Sequence, residues 1–216
     1  MTLRDYSKIR DDYHSIIPKA LRLLTERLDK SLEILAGGRK VTLTTIYGTG
    51  GNSTVQKTKL LANFAPFAFE DAAEIVGIPY KFVDGNGYDV EMDDNGVITI
   101  EEKMTLGDDN GKFATGNNHS KVKNSLHFVL KLKHDGNVFT EVFAALVDVP
   151  NLKHKDSGWD DKVTSSGKNN NGFSGLKVHI SDIDCVTSIY GTARTNVKNQ
   201  KRLCTFVQTD YVNVAY

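Results

Sequence analysis

Apolar residues recur along this chain in two rhythms, and the change from one to the other marks out the elements. Between Tyr6 and Ala36, Leu21, Leu24, Leu28, Leu32 and Leu35 fall three or four residues apart. That spacing predicts a helix with one apolar stripe, ended by Gly37-Gly38, with Pro18 as a candidate break. Val41–Tyr47 reads as a strand, and the glycine-rich run from Gly48 to Ser53 as a loop. Thr54–Phe64 and Pro66–Val76 read as two further helices, the second stopped by Gly77 and Pro79. From Tyr80 onward the period shortens to two. Strands are expected at Tyr80–Asp84, on both sides of Asp94-Asn95-Gly96, at Leu126–Leu132 and at Val138–Val149. Asn151–Ser174 is rich in Lys, Asn, Ser, Gly and Asp and reads as a long loop. Strand-like alternation returns at Leu176–Ile180, Asp184–Tyr190 and Leu203–Val214. The expected fold is α/β (α+β), a central mixed β-sheet of about five strands flanked by helices, in a single domain spanning residues 1–216.

The hairpin around Asp94-Asn95-Gly96 has two candidate registers. A two-residue Asn95-Gly96 turn would pair Glu91 with Ile100 and mix carboxylates with isoleucines. A three-residue loop with Gly96 in the left-handed region pairs Met92 with Ile98 and Val90 with Ile100. This second register keeps one face apolar, and register follows the hydrophobic pattern.

It has a chemical consequence. Asp89 falls opposite Glu101, with Cβ atoms roughly 4.5–5.5 Å apart, where like charges are destabilising. Lys103, two residues on and on the same face, is one compensating cation. A divalent metal between the carboxylates is another, and a partly open site of hard oxygen ligands suits Mg²⁺. Glu102 points to the apolar face and requires a partner there, the Tyr88 hydroxyl or a cation.

Composition narrows the class. The 216 residues are 39% hydrophobic and 25% charged, as in a soluble globular protein, and 27 basic residues balance 27 acidic ones. No apolar run approaches the ~18 residues of a membrane span, and the first residues do not read as a signal peptide. Cys185 and Cys204 offer neither metal spacing nor a disulfide framework, so a cytoplasmic setting is expected. The Gly48–Ser53 loop lacks the Gly-Lys-Ser/Thr ending of a nucleotide-triphosphate loop.

Asp89, then an interval of eleven residues, then Glu101-Glu102-Lys103, resembles the PD-(D/E)XK nuclease motif: an acid on one strand, then Glu/Asp-x-Lys on the next. Many type II restriction endonucleases belong to that superfamily. The chain departs from the pattern in having Tyr88, not Pro, before the first acid. The resemblance implies a restriction endonuclease-like core over about residues 66–149, with Asp89, Glu101 and Lys103 catalytic and Mg²⁺ held by Asp89 and Glu101. It also implies a Glu from the helix before the hairpin, for which Glu70 is the best match. Double-stranded DNA would be the substrate. Lys121 and Lys123 are candidate phosphate contacts. Lys168, Asn169 and Asn170 are candidates for phosphate and base edges, and Arg194 and Lys198 belong to a basic cluster. Recognition elements would then lie in residues 150–216. Cutting both strands of a palindrome implies a homodimer, built on the Leu21–Leu35 stripe or the 138–149 strand. Two rival readings remain: a β-rich domain that binds a partner without turnover, and a metal-dependent hydrolase of small phosphoesters.

Overall fold

The computed structural model describes residues 6–49, 51–83, 88–92, 98–106, 125–162, 172–195 and 204–207. Three helices come first: α1 (Ser7–Leu35), the short α2 (Leu43–Tyr47) and α3 (Gly51–Val76). Strands β1 (Lys81–Phe82), β2 (Val90–Met92), β3 (Ile98–Leu106), β4 (Leu126–Asp135) and β5 (Val138–Val147) follow. The C-terminal third holds β6 (Gly158–Lys162), β7 (Gly172–Lys177), β8 (Val186–Tyr190), β9 (Thr192–Thr195) and β10 (Cys204–Val207). The main sheet is mixed and has six strands in the order β1-β2-β3-β4-β5-β8; β6-β7 and β9-β10 form two-stranded ribbons. All neighbours in the main sheet are antiparallel except β3 and β4, which run parallel from Ile100↔Leu126 to Leu106↔Leu132.

The sheet has two differently covered faces. On one, α1 and α3 bury Tyr13, Ile16, Leu21, Leu24, Leu61 and Phe69 against Val90, Ile100, Phe128 and Leu130. On the other, Val129, Phe143, Ala145 and Val147 pack under Leu176 and Val178. β4 and β5 are therefore apolar on both sides, which is why Leu126–Leu132 and Val142–Val147 read as nearly unbroken hydrophobic runs.

Several sequence expectations are corrected. Val41–Tyr47 is not a strand. Thr42 caps α2, its hydroxyl accepting the Thr45 N–H at 3.1 Å, and Asn137 accepts the Leu43 N–H at 2.8 Å, so capping outweighs the β-branched composition. Neither proline breaks its helix. Pro18 removes the N–H that His14 would accept from, and the Tyr190 hydroxyl donates to that carbonyl instead, at 3.0 Å. Pro66 lies inside α3, which runs unbroken where two helices were expected. Asn151–Ser174 is not all loop, since β6 and the first half of β7 fall within it, and the two strands pair with each other. Within the last expected strand, Leu203–Val214, the described part is Cys204–Val207, which pairs with β9. The two segments proposed for a dimer interface are interior: Leu21, Leu24, Leu28 and Leu32 are buried, and β5 lies between β4 and β8. Among the described residues, no helix is long and apolar enough to cross a membrane.

Candidate active site

The site is built on β3. The β2–β3 register is Met92↔Ile98, Glu91↔Thr99 and Val90↔Ile100, the one that keeps Val90, Met92 and Ile100 on the apolar face. The turn at 93–97, with Gly96, lies outside the described residues. Below Val90 the ladder gives way to a bend. The Asp89 N–H donates to the Ile100 carbonyl at 2.9 Å, and the Asp89 carbonyl accepts the Val83 N–H at 3.0 Å. The Asp89 carboxylate turns in to accept the Glu102 N–H on Oδ2, at 2.9 Å. Asp89 is thus pinned to the β3 backbone at the start of the motif.

Lys103 joins the two acids. Its ammonium ion-pairs with Glu101 Oε1 and lies 3.9 Å from Asp89 Oδ2. The Glu101 side chain is only 5% exposed, Lys103 17% and Asp89 29%, so Asp89 is the member most open to solvent. Two carboxylates around one ammonium leave a net negative charge at a partly open edge. That donor set fits a Mg²⁺ that keeps most of its waters, and does not fit a closed protein cage. Glu70 does not complete the set: its Oε1 accepts the Phe82 N–H at 3.2 Å, tying α3 to β1. Among the described residues no three His, Cys, Asp or Glu side chains converge as a metal-binding group.

Consecutive strand residues face opposite sides, so Glu102 enters the helix-side core. There its Oε1 accepts the Tyr13 hydroxyl from α1 at 2.7 Å and the Tyr80 hydroxyl at 2.9 Å. Tyr88, the partner expected from the sequence, donates to Glu91 instead, at 2.8 Å. Burial pushes the Glu102 carboxyl up to about 7; the two tyrosine hydroxyls pull it down, and nearby Asp89 adds a smaller upward push. Burial first, and Glu102 second, raise both tyrosine hydroxyls well above their usual value. Tyr13 also stacks on Phe128, with ring centres 3.9 Å apart.

His127 pairs with Glu101 across β3–β4 and was not anticipated. It is fully buried, its Nδ1 lies 2.9 Å from the Ser125 carbonyl, and burial lowers its pKa to about 3, which keeps it neutral. Its only sequence signal was a titratable residue inside an apolar strand.

A cleft of about 310 Å³ opens between α3 and β3, lined by Asp89, Glu102, Lys103 and mostly apolar residues that include Phe67, Phe69 and Phe82. Of the candidate DNA contacts, Lys121, Lys123, Lys168, Asn169, Asn170 and Lys198 lie outside the described residues. Arg194 lies in β9, paired with Thr205. Lys57 is buried with its ammonium 3.5 Å from the Thr44 hydroxyl. No protein-family model matches the chain, and no curated protein or solved structure shows significant similarity to it.

Proposed function

We propose that this chain is a Mg²⁺-dependent endonuclease that hydrolyses double-stranded DNA at a short specific site, resembling type II restriction enzymes. The observation that carries the reading is the convergence of Asp89 and Glu101 on Lys103, with Asp89 and Lys103 also lining an open cleft. Asp89 and Glu101 would hold Mg²⁺. The bound ion supplies Lewis acidity and a more acidic water. Lys103 donates hydrogen bonds toward the scissile phosphate and offsets charge that builds there. The Glu102 N–H fixes the Asp89 carboxylate, so Asp89 keeps one orientation while Oδ1 remains to accept. On this reading residues 66–149 carry the chemistry and 150–216 the recognition elements. The protein works in the cytoplasm, as a homodimer that cuts both strands.

The test is direct. Purified protein incubated with phage DNA and Mg²⁺ gives discrete bands. Asp89→Asn and Glu101→Gln each lose cleavage on the order of 10³-fold, because metal placement is removed, while DNA binding in a gel-shift assay survives. Undiminished cleavage by either variant refutes the assignment.

A further inference from the structure

The cleft has features that holding a metal and a phosphate does not require. It is about 310 Å³, at the small end of small-molecule pockets, and a duplex cannot enter a space of that size. Its wall mixes polar and apolar surface, with the apolar share slightly larger. Phe67, 52% exposed, meets Phe82 edge-on with ring centres 5.9 Å apart, and both rings line the cleft. An aromatic side chain left half in water beside a cleft has apolar surface to bury on something flat.

Two polar atoms lack their usual donors. Both tyrosine hydroxyls donate to Oε1 of Glu102, and among the described residues Oε2 has no hydrogen-bond partner, although Glu102 lines the cleft. Ala62 also lines the cleft, and its carbonyl lacks the helical N–H it would accept because residue 66 is proline. Oε2 retains acceptor capacity whether or not the carboxyl is protonated. A slot with one aromatic wall and two acceptors short of donors matches a planar heterocycle that carries an amino group.

We propose that the cleft between α3 and β3 receives one unstacked nucleobase bearing an exocyclic amino group: adenine, cytosine or guanine. Phe67 and Phe82 supply the stacking surface, and Glu102 Oε2 and the Ala62 carbonyl accept the amino hydrogens. Thymine has no exocyclic amino group and offers only its single N3–H, so it leaves one of the two acceptors unpaired. The inference rests on the nuclease reading, because Asp89 and Lys103 at the cleft would handle the phosphate of the same strand. Extruding a base costs a few kcal/mol and least at a mismatch or in a single strand, and stacking on an aromatic wall returns about 1–3 kcal/mol.

Saturation-transfer NMR on the full chain tests this with dAMP, dCMP, dGMP, dTMP and deoxyribose 5-phosphate as separate probes at millimolar concentration. Base protons of the three amino-bearing nucleotides receive saturation. dTMP gives a signal weaker by about fivefold or more, and deoxyribose 5-phosphate gives none. Phe67→Ala, at an exposed position, lowers all three nucleotide signals by about fivefold or more, the low end of a lost stacking partner. Glu102→Gln, which adds a donor, narrows the gap between dTMP and the rest. Equal signals for all four nucleotides overturn the proposal, as does an unchanged Phe67→Ala. If phage DNA is cut while no nucleotide is bound, the base site fails and the nuclease reading stands. If nucleotides bind in the expected order while no DNA is cut, the nuclease reading fails and the base site stands.

Discussion

Replacing Glu102 by Gln is expected to flatten the dependence of stability on pH. The Glu102 carboxyl is enclosed by the helix-side core, although the residue keeps some surface along the cleft, and its pKa rises from 4.5 to about 7. A raised folded-state pKa means that folding takes up a proton in the interval between the two values. The stabilisation is complete below the unfolded value of 4.5 and is lost as pH climbs through about 7. A shift of roughly 2.5 units at about 1.4 kcal/mol each gives about 3 kcal/mol, a large part of the 5–15 kcal/mol of a typical domain. Gln keeps an oxygen for the Tyr13 and Tyr80 hydroxyls and does not ionise. Urea unfolding followed by circular dichroism between about pH 5 and about pH 8 should show the wild type losing up to about 3 kcal/mol relative to Glu102→Gln. Tyr13→Phe removes a hydroxyl that favours the ionised form, so it should steepen the wild-type slope. Parallel stability curves for wild type and Glu102→Gln across this window would refute the reasoning.

Lys103→Met should destabilise the fold by about 3 kcal/mol, because Glu101 is left buried without its cation; a loss below about 1 kcal/mol in urea unfolding would show the ion pair to be dispensable. On the nuclease reading Ca²⁺ raises the melting temperature of the wild type and not of Asp89→Asn, an excess of about 100-fold over Kd being worth about 2.7 kcal/mol. Equal shifts in the two proteins would place the ion elsewhere. Light scattering should return a dimer, at least with DNA present; a strict monomer in both conditions counts against two-strand cleavage by paired sites.

What the sequence made legible was local. Val90, Met92 and Ile100 alternate with polar neighbours, so only one β2–β3 register keeps them together. With that register fixed, Asp89, Glu101 and Lys103 follow. The direct Asp89–Glu101 pairing does not, because the ladder stops at Val90 and Asp89 bonds the Glu102 N–H. The remaining misses depend on partners far along the chain. Pro18 looks like a break until Tyr190, 176 residues beyond His14, donates to the freed carbonyl. The Glu102 partner is Tyr13, 89 residues earlier, and no periodicity announces such a pairing. Val41–Tyr47 has strand composition, and its helix depends on a Thr42 cap and an Asn137 anchor 94 residues from Leu43.

The middle residue of Glu101-Glu102-Lys103 shows where stability gives way to something else. Position 102 faces a core of Phe69, Phe128 and Ile100, where an apolar side chain would pack without penalty. The chain instead places a carboxyl there and holds it with two tyrosine hydroxyls at core positions that Phe would fill without needing a partner. A buried polar network of this kind costs stability unless every member is satisfied, and here, among the described residues, one carboxyl oxygen of a residue that lines the cleft has no hydrogen-bond partner. Structural demand is met at the Lys103–Glu101 pair on the other face, since a buried carboxylate has its cation there. It does not account for Glu102. A local choice that conflicts with packing, beside an open cleft, is what a functional constraint leaves in a fold, and the unsatisfied oxygen identifies the cleft as the place where that constraint acts.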